Sequence, residues 1–112
     1  MDYWSGLDRL VSTHRLVIDR PKGSHHEVYR DSVSPLDYGY LEGTVSGDGA
    51  GVDVWVGTLK GGAVTGVICA VDLLKGDAET KLLVGCTDEE AETALRCHNI
   101  GQQHAMLVKR PK

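Results

Sequence analysis

Short valine runs broken by glycines leave this chain little room for long helices. Fourteen of its 112 residues are Gly and none is Phe, a pattern that suits tight turns between strands. The cleanest run, Val52-Asp53-Val54-Trp55-Val56, alternates without a break. In a strand, that alternation puts the valines on one face and Asp53 with Trp55 on the other.

The rest of the chain reads in the same short units. Trp4, Leu7, Leu10 and Val11 recur at helical spacing, so residues 2–11 form an expected short helix or turn. Leu16 to Arg20 reads as a first strand closed by Pro21-Lys22-Gly23, Glu27 to Val33 as a second and Leu36 to Glu42 as a third. Val64 to Leu74 and Lys81 to Cys86 form an expected hairpin with Lys75-Gly76-Asp77 at its tip. Thr87-Asp88-Glu89-Glu90 has the form of a capping box: Thr87 caps a helix start and Glu90 reaches back to its amide. Ala105 to Arg110 closes the chain as a last strand. No repeat or linker divides the sequence, so 1–112 is read as a single domain. Mainly β, with a short N-terminal helix and one C-terminal helix, it predicts a small five-stranded barrel of the oligonucleotide/oligosaccharide-binding (OB) type. A two-sheet sandwich is the alternative, for which the chain is short.

Charge and cysteine usage narrow the partners. A net charge of −4 gives no basic face for displacing counterions from nucleic acid. It does not exclude an anionic substrate, since bound divalent cations reverse a local field. The longest near-apolar run, Val64 to Leu74, is too short to span a membrane. Three cysteines, no C-x-x-C pair and no signal peptide fit a reducing cytoplasm. Cys69 and Cys86, inside apolar runs, read as packing residues. His25 and His26 are adjacent and would point oppositely in a strand, so no transition-metal site is expected there.

The chemistry concentrates in Asp48-Gly49-Ala50-Gly51-Val52-Asp53-Val54. Asp is disfavoured in strands, yet Asp53 interrupts valines. Asp48 and Asp53 are an odd number apart and would face oppositely on a straight strand, so the Gly-rich loop must bend Asp48 round if both serve one site. Two carboxylates about 5 Å apart repel by roughly 3 kcal/mol at an effective dielectric near 20, and a hard cation relieves that. The other readings are a turn aspartate and a solvated strand aspartate. Asp77, Glu79 and Lys81 at the hairpin, with Asp72 before them, are ordinary turn and surface residues unless they lie near Asp48 and Asp53. Tyr38 and Tyr40 offer hydroxyls to a phosphate, or fill the core or a barrel rim, and Arg15, Arg20, Lys22 and Arg30 could grip a phosphate or lie solvated.

Two segments in order resemble the family I soluble inorganic pyrophosphatases. Pro35-Leu36-Asp37-Tyr38-Gly39-Tyr40-Leu41-Glu42-Gly43-Thr44 is similar to their P-x-N-Y-G-Y-x-x-x-T stretch, and Asp48 to Val54 to their D-x-D-P-x-D-V motif. Asp77-Ala78-Glu79-Thr80-Lys81-Leu82 looks like a compressed form of their acidic hairpin. The resemblance covers roughly residues 15–85. It implies a five-stranded barrel and Mg2+-dependent hydrolysis of inorganic pyrophosphate, or a related phosphoanhydride, by a cytoplasmic homo-oligomer. It makes Asp48, Asp53, Asp77 and Glu79 metal ligands, Tyr38 and Lys81 catalytic and phosphate contacts, and Arg15 and Arg30 further phosphate contacts. The chain departs from the pattern at Ala50, where the family has a water-activating Asp, at Gly51 for Pro and at Asp37 for Asn. His98-Asn99-Ile100 stands where a Tyr-Lys pair is expected. A module that binds metal and phosphate without turnover is therefore the second expectation.

Overall fold

A computed structural model describes residues 1–26 and 29–112. The elements run α1 (Tyr3–Thr13), β1 (Leu16–Arg20), β2 (Asp37–Leu41), β3 (Val52–Val56), β4 (Val64–Asp72), β5 (Asp77–Val84), α2 (Asp88–Cys97) and β6 (Gln103–Lys109). All six strands join one mixed sheet in the order β1-β2-β3-β5-β4-β6, parallel only between β3 and β5. The fold is mainly β with two helices, as expected. Instead of a five-stranded barrel it is a six-stranded sheet with β1 and β6 at its two ends. The strand expected over Glu27 to Val33 falls partly on Glu27 and Val28, which lie outside the described residues. In the rest of that segment only an isolated bridge, His25 to Val33, forms.

Strand alternation builds a core on each face. Leu41, Val54, Val64, Val67, Leu82 and Val84 form one, and α1 lays Trp4, Leu7, Leu10 and Val11 against it. Trp55, Ile68 and Leu83 point the other way and are covered by Leu36, Cys86 and the α2 alanines, Ala91 and Ala94. The helix ends follow from local chemistry. Asp2 accepts from the Ser5 amide at the start of α1, and the Thr87–Glu90 capping box forms as its sequence predicts. Asp8 pins α1 to the sheet, accepting from the Val64 amide at 2.9 Å and from Arg110 Nη1 at 2.9 Å.

One expectation is corrected: Cys86 is buried as a packing residue, but Cys69 faces solvent. The outer edge of β6 is shielded by a side chain: Asn99 accepts from the Ala105 amide and donates to its carbonyl, standing in for a neighbouring strand. Among the described residues, no helix is long and apolar enough to cross a membrane.

Candidate functional site

Beyond the reach of α2, the same face of the sheet turns polar. Asp53 on β3, Ala70 and Asp72 on β4, Asp77, Glu79 and Lys81 on β5, and Gln103 on β6 surround a cavity of about 300 Å³. Asp19, Arg20, Tyr38, Asp48, Lys75 and His98 complete its lining. The tyrosine motif, the aspartate motif and the hairpin, distant in sequence, thus meet in one hollow.

The loop before β3 bends as the odd spacing of Asp48 and Asp53 requires. The Ser46 amide donates to the Ala50 carbonyl at 2.6 Å, the Gly49 amide to the Ser46 carbonyl at 3.0 Å, and the Ala50 amide to Asp48 Oδ1 at 2.9 Å. Gly47 lets this loop lie on the hairpin, because a Cβ there would stand 2.6 Å from the Ala78 carbonyl oxygen. Ser46 Oγ then reaches Glu79 Oε2 at 3.1 Å. Carboxylate oxygens of Asp48, Asp77 and Glu79 consequently lie within 4.8 Å of one another. The hydrogen bond from the Ala50 amide, outweighing burial, holds the Asp48 carboxyl below its ordinary pKa.

Asp53 stands apart from this triad. Its Oδ2 accepts from Lys81 Nζ at 2.8 Å, and the same ammonium bonds Glu79 Oε1 and the Tyr38 hydroxyl, the latter at 3.2 Å. Burial works against the Lys81 charge, but Tyr38, Asp53 and Glu79 outweigh it and hold the lysine protonated. Burial also pushes the Tyr38 phenol upward, so it stays a neutral hydroxyl. Tyr38 rests on Trp55, ring centroids 4.4 Å apart. Gly39 beside it is required, since a Cβ would fall 1.8 Å from the Val17 carbonyl oxygen on the crossing strand.

The floor is closed by His98, which is 7% exposed. Trp55 Nε1 donates to His98 Nε2 at 3.0 Å, and His98 Nδ1 faces Gln103 Oε1 at 3.4 Å. The acceptor role of Nε2 puts the proton on Nδ1. Burial, helped by the Lys81 charge, pushes His98 down to about 4, so the ring is neutral at pH 7.

Six carboxylates (Asp19, Asp48, Asp53, Asp72, Asp77, Glu79) face three cations (Arg20, Lys75, Lys81) across the lining, a local charge of −3. An anion enters such a hollow only if cations enter with it. Asp48, Asp77 and Glu79 offer the hard oxygen donors that Mg2+ prefers, with open space for the waters it keeps.

Arg15 and Arg30, read as phosphate contacts, do not line the cavity. Arg15 precedes β1 at the end away from the site, where its carbonyl accepts from the Glu42 amide. Arg30 is exposed in a loop, its carbonyl bonded to His25 Nδ1 at 2.7 Å. Asp37 is also outside, accepting from the Lys22 amide at 2.8 Å. Of the basic residues read as able to grip phosphate, Arg20 is the one in the lining, and Asp19, Ala70, Lys75, His98 and Gln103 are the lining residues that sequence reading did not assign. Comparison with protein-family models, characterised proteins and solved structures returned no match.

Proposed function

We propose that this chain hydrolyses inorganic pyrophosphate, or a related phosphoanhydride, with Mg2+. The observation that carries this reading is the convergence on one cavity of Tyr38, Asp48, Asp53, Asp77, Glu79 and Lys81, the residues that the pyrophosphatase motifs make functional. The six-stranded sheet is then a variant of the pyrophosphatase barrel. Asp48, Asp77 and Glu79 are the residues that would hold magnesium. Bound there, the ion offsets phosphate charge and makes water a better nucleophile at neutral pH. Lys81 pairs with Asp53 and orients Tyr38, whose neutral hydroxyl can donate to a phosphoryl oxygen. Trp55 packs against the Tyr38 ring at 4.4 Å between centroids, with His98 at 6.5 Å beyond.

Ala50 favours a second reading. It lies beside Asp48 and supplies no base, and the Asp53 carboxylate is already committed to Lys81. The site would then bind magnesium and phosphate without turnover.

Phosphate release from pyrophosphate, measured with Mg2+ and with a chelator, separates the two. We expect release only with Mg2+, and a Mg2+-induced rise in Tm that Asp48→Asn removes more fully than Asp53→Asn. A Tm rise without release selects the binding reading, and neither response rejects both. Light scattering of the same sample tests the expected homo-oligomer, which a monomer at micromolar concentration overturns.

A further inference from the structure

Of the three cations that line the cavity, Lys81 is already engaged. An ammonium has three protons to donate, and Lys81 meets Asp53, Glu79 and Tyr38 with them. Lys75 sits at the hairpin tip, where its charge acts on Asp48 without forming an ion pair. Among the described residues neither Lys75 nor Arg20 has a carboxylate within ion-pair distance, and of these two Arg20 is the one held against the Tyr38 ring.

The backbone aims Arg20 at the site. β1 and β2 pair in regular register from Leu16–Leu41 to Ile18–Gly39, and a bulge then intervenes so that Arg20 stands opposite Tyr38. Without the bulge Asp19 would stand opposite Tyr38, and Arg20 would turn to the other face. The extra residue thus exchanges a carboxylate for a guanidinium in the tyrosine's row. The Arg20 guanidinium carbon lies 5.2 Å from the Tyr38 ring centroid, and Lys81 Nζ lies 5.9 Å from the same centroid. Tyr38 therefore has an unpaired planar cation and the triad's ammonium both beside its ring.

We infer that Arg20 is the anion receptor of this cavity, binding by its guanidinium fork the phosphoryl group that lies farther from Asp48, Asp77 and Glu79. The inference rests on the hydrolase reading for its substrate class, a diphosphate long enough to engage both ends. Arginine suits the task because its fork pairs with two phosphate oxygens at once, and because stacking on Tyr38 holds it in place. Binding there breaks no existing ion pair, which binding at Lys81 would do.

The test uses magnesium imidodiphosphate, a diphosphate with a non-hydrolysable bridge, titrated into the whole chain by calorimetry. Arg20→Ala is expected to weaken binding by about 10- to 100-fold, the range for a lost bidentate charge pair. Arg20→Lys should recover part of the loss, and Arg9→Ala, the same charge change on the exposed side of α1, should bind like wild type. The Mg2+-induced Tm rise without the diphosphate should be unchanged in Arg20→Ala, because Arg20 lies outside the triad. Circular dichroism of each variant reports folding, and Arg20→Lys serves if the alanine variant misfolds. Arg20 variants that bind as tightly as wild type overturn the inference, whatever the turnover. Wild type that binds imidodiphosphate but releases no phosphate from pyrophosphate leaves it standing while the hydrolase reading falls. Wild type that binds no diphosphate overturns both.

Discussion

Lys81 and Leu82 are neighbours on β5, only 8% and 1% exposed, and they hold opposite faces of one sheet. Leu82 packs among Leu41, Val54 and Val64 beneath α1. Burying such a side chain contributes about 1.5–3 kcal/mol. Lys81 sits as deeply among Asp53, Glu79 and Tyr38. Its desolvation costs several kcal/mol, which the paired carboxylates offset. The alternation extends along the strand: Asp77, Glu79 and Lys81 face the cavity, Ala78, Thr80 and Leu82 the other side. One face is spent on cohesion. The other trades cohesion for charge where α2 no longer covers it.

The sharpest way to break that comparison is to truncate both neighbours. Leu82→Ala should destabilise by about 3–4 kcal/mol, transfer and cavity costs together. The loss should be the same with and without magnesium. Lys81→Met should cost about 3 kcal/mol in chelator, because it leaves the Asp53 and Glu79 carboxylates partly buried and unpaired. Magnesium should return a large part of that, since the ion replaces the lost positive charge. Urea unfolding of both variants, with Mg2+ and with chelator, checks this. Equal magnesium sensitivity in the two would mean that the faces are not divided as described.

A smaller effect is expected at His98, where the apolar end of the cavity face meets its charges. His98 titrates at about 4 when folded against an ordinary 6.5. Between those values the unfolded chain binds a proton that the folded chain refuses, so acid favours unfolding. The stability is fully present above pH 6.5 and is lost as pH falls towards 4, a total on the order of 3 kcal/mol. Asp53 favours the protonated ring while Lys81 and Arg20 oppose it. His98→Gln keeps an acceptor for Trp55 and removes the titration, so its stability should be flatter than wild type from pH 6.5 to 4. An unchanged slope would assign the acid sensitivity to the carboxylates instead.

Period-two alternation is local, so the sequence of β3 already separated Asp53 and Trp55 from the valines, and the capping box of α2 was legible residue by residue. The hairpin followed from Gly76 between two apolar runs. The parallel pairing of β3 with β5 was not legible, because it joins segments separated by all of β4. It is this pairing that brings Asp53 to Lys81. The bulge that aims Arg20 and the close approach that needs Gly47 depend on neighbouring strands, and no local pattern announces either. The resemblance made Arg15 a site residue because it lies beside the first strand. A strand has two ends, and only the Arg20 end reaches the cavity.

The smallest effect expected is a gain. Ala50 is exposed in the turn that presents Asp48, and its amide already bonds the Asp48 carboxylate. Ala50→Asp adds an acid beside the triad, at the place where the resembled family keeps the one that activates water. The new carboxylate adds to a lining already charged −3, so the metal-free protein should lose about 1 kcal/mol to repulsion. Magnesium should cancel most of that cost, because it binds the same charges. If the hydrolase reading holds, pyrophosphate turnover with Mg2+ should rise several-fold, within reach of a single added base. Steady-state phosphate release and Tm with and without Mg2+ measure both parts. A stronger magnesium effect on Tm with no gain in turnover would show that the acid joins the metal site without activating water. The cavity face would then be built for holding a diphosphate rather than cleaving it.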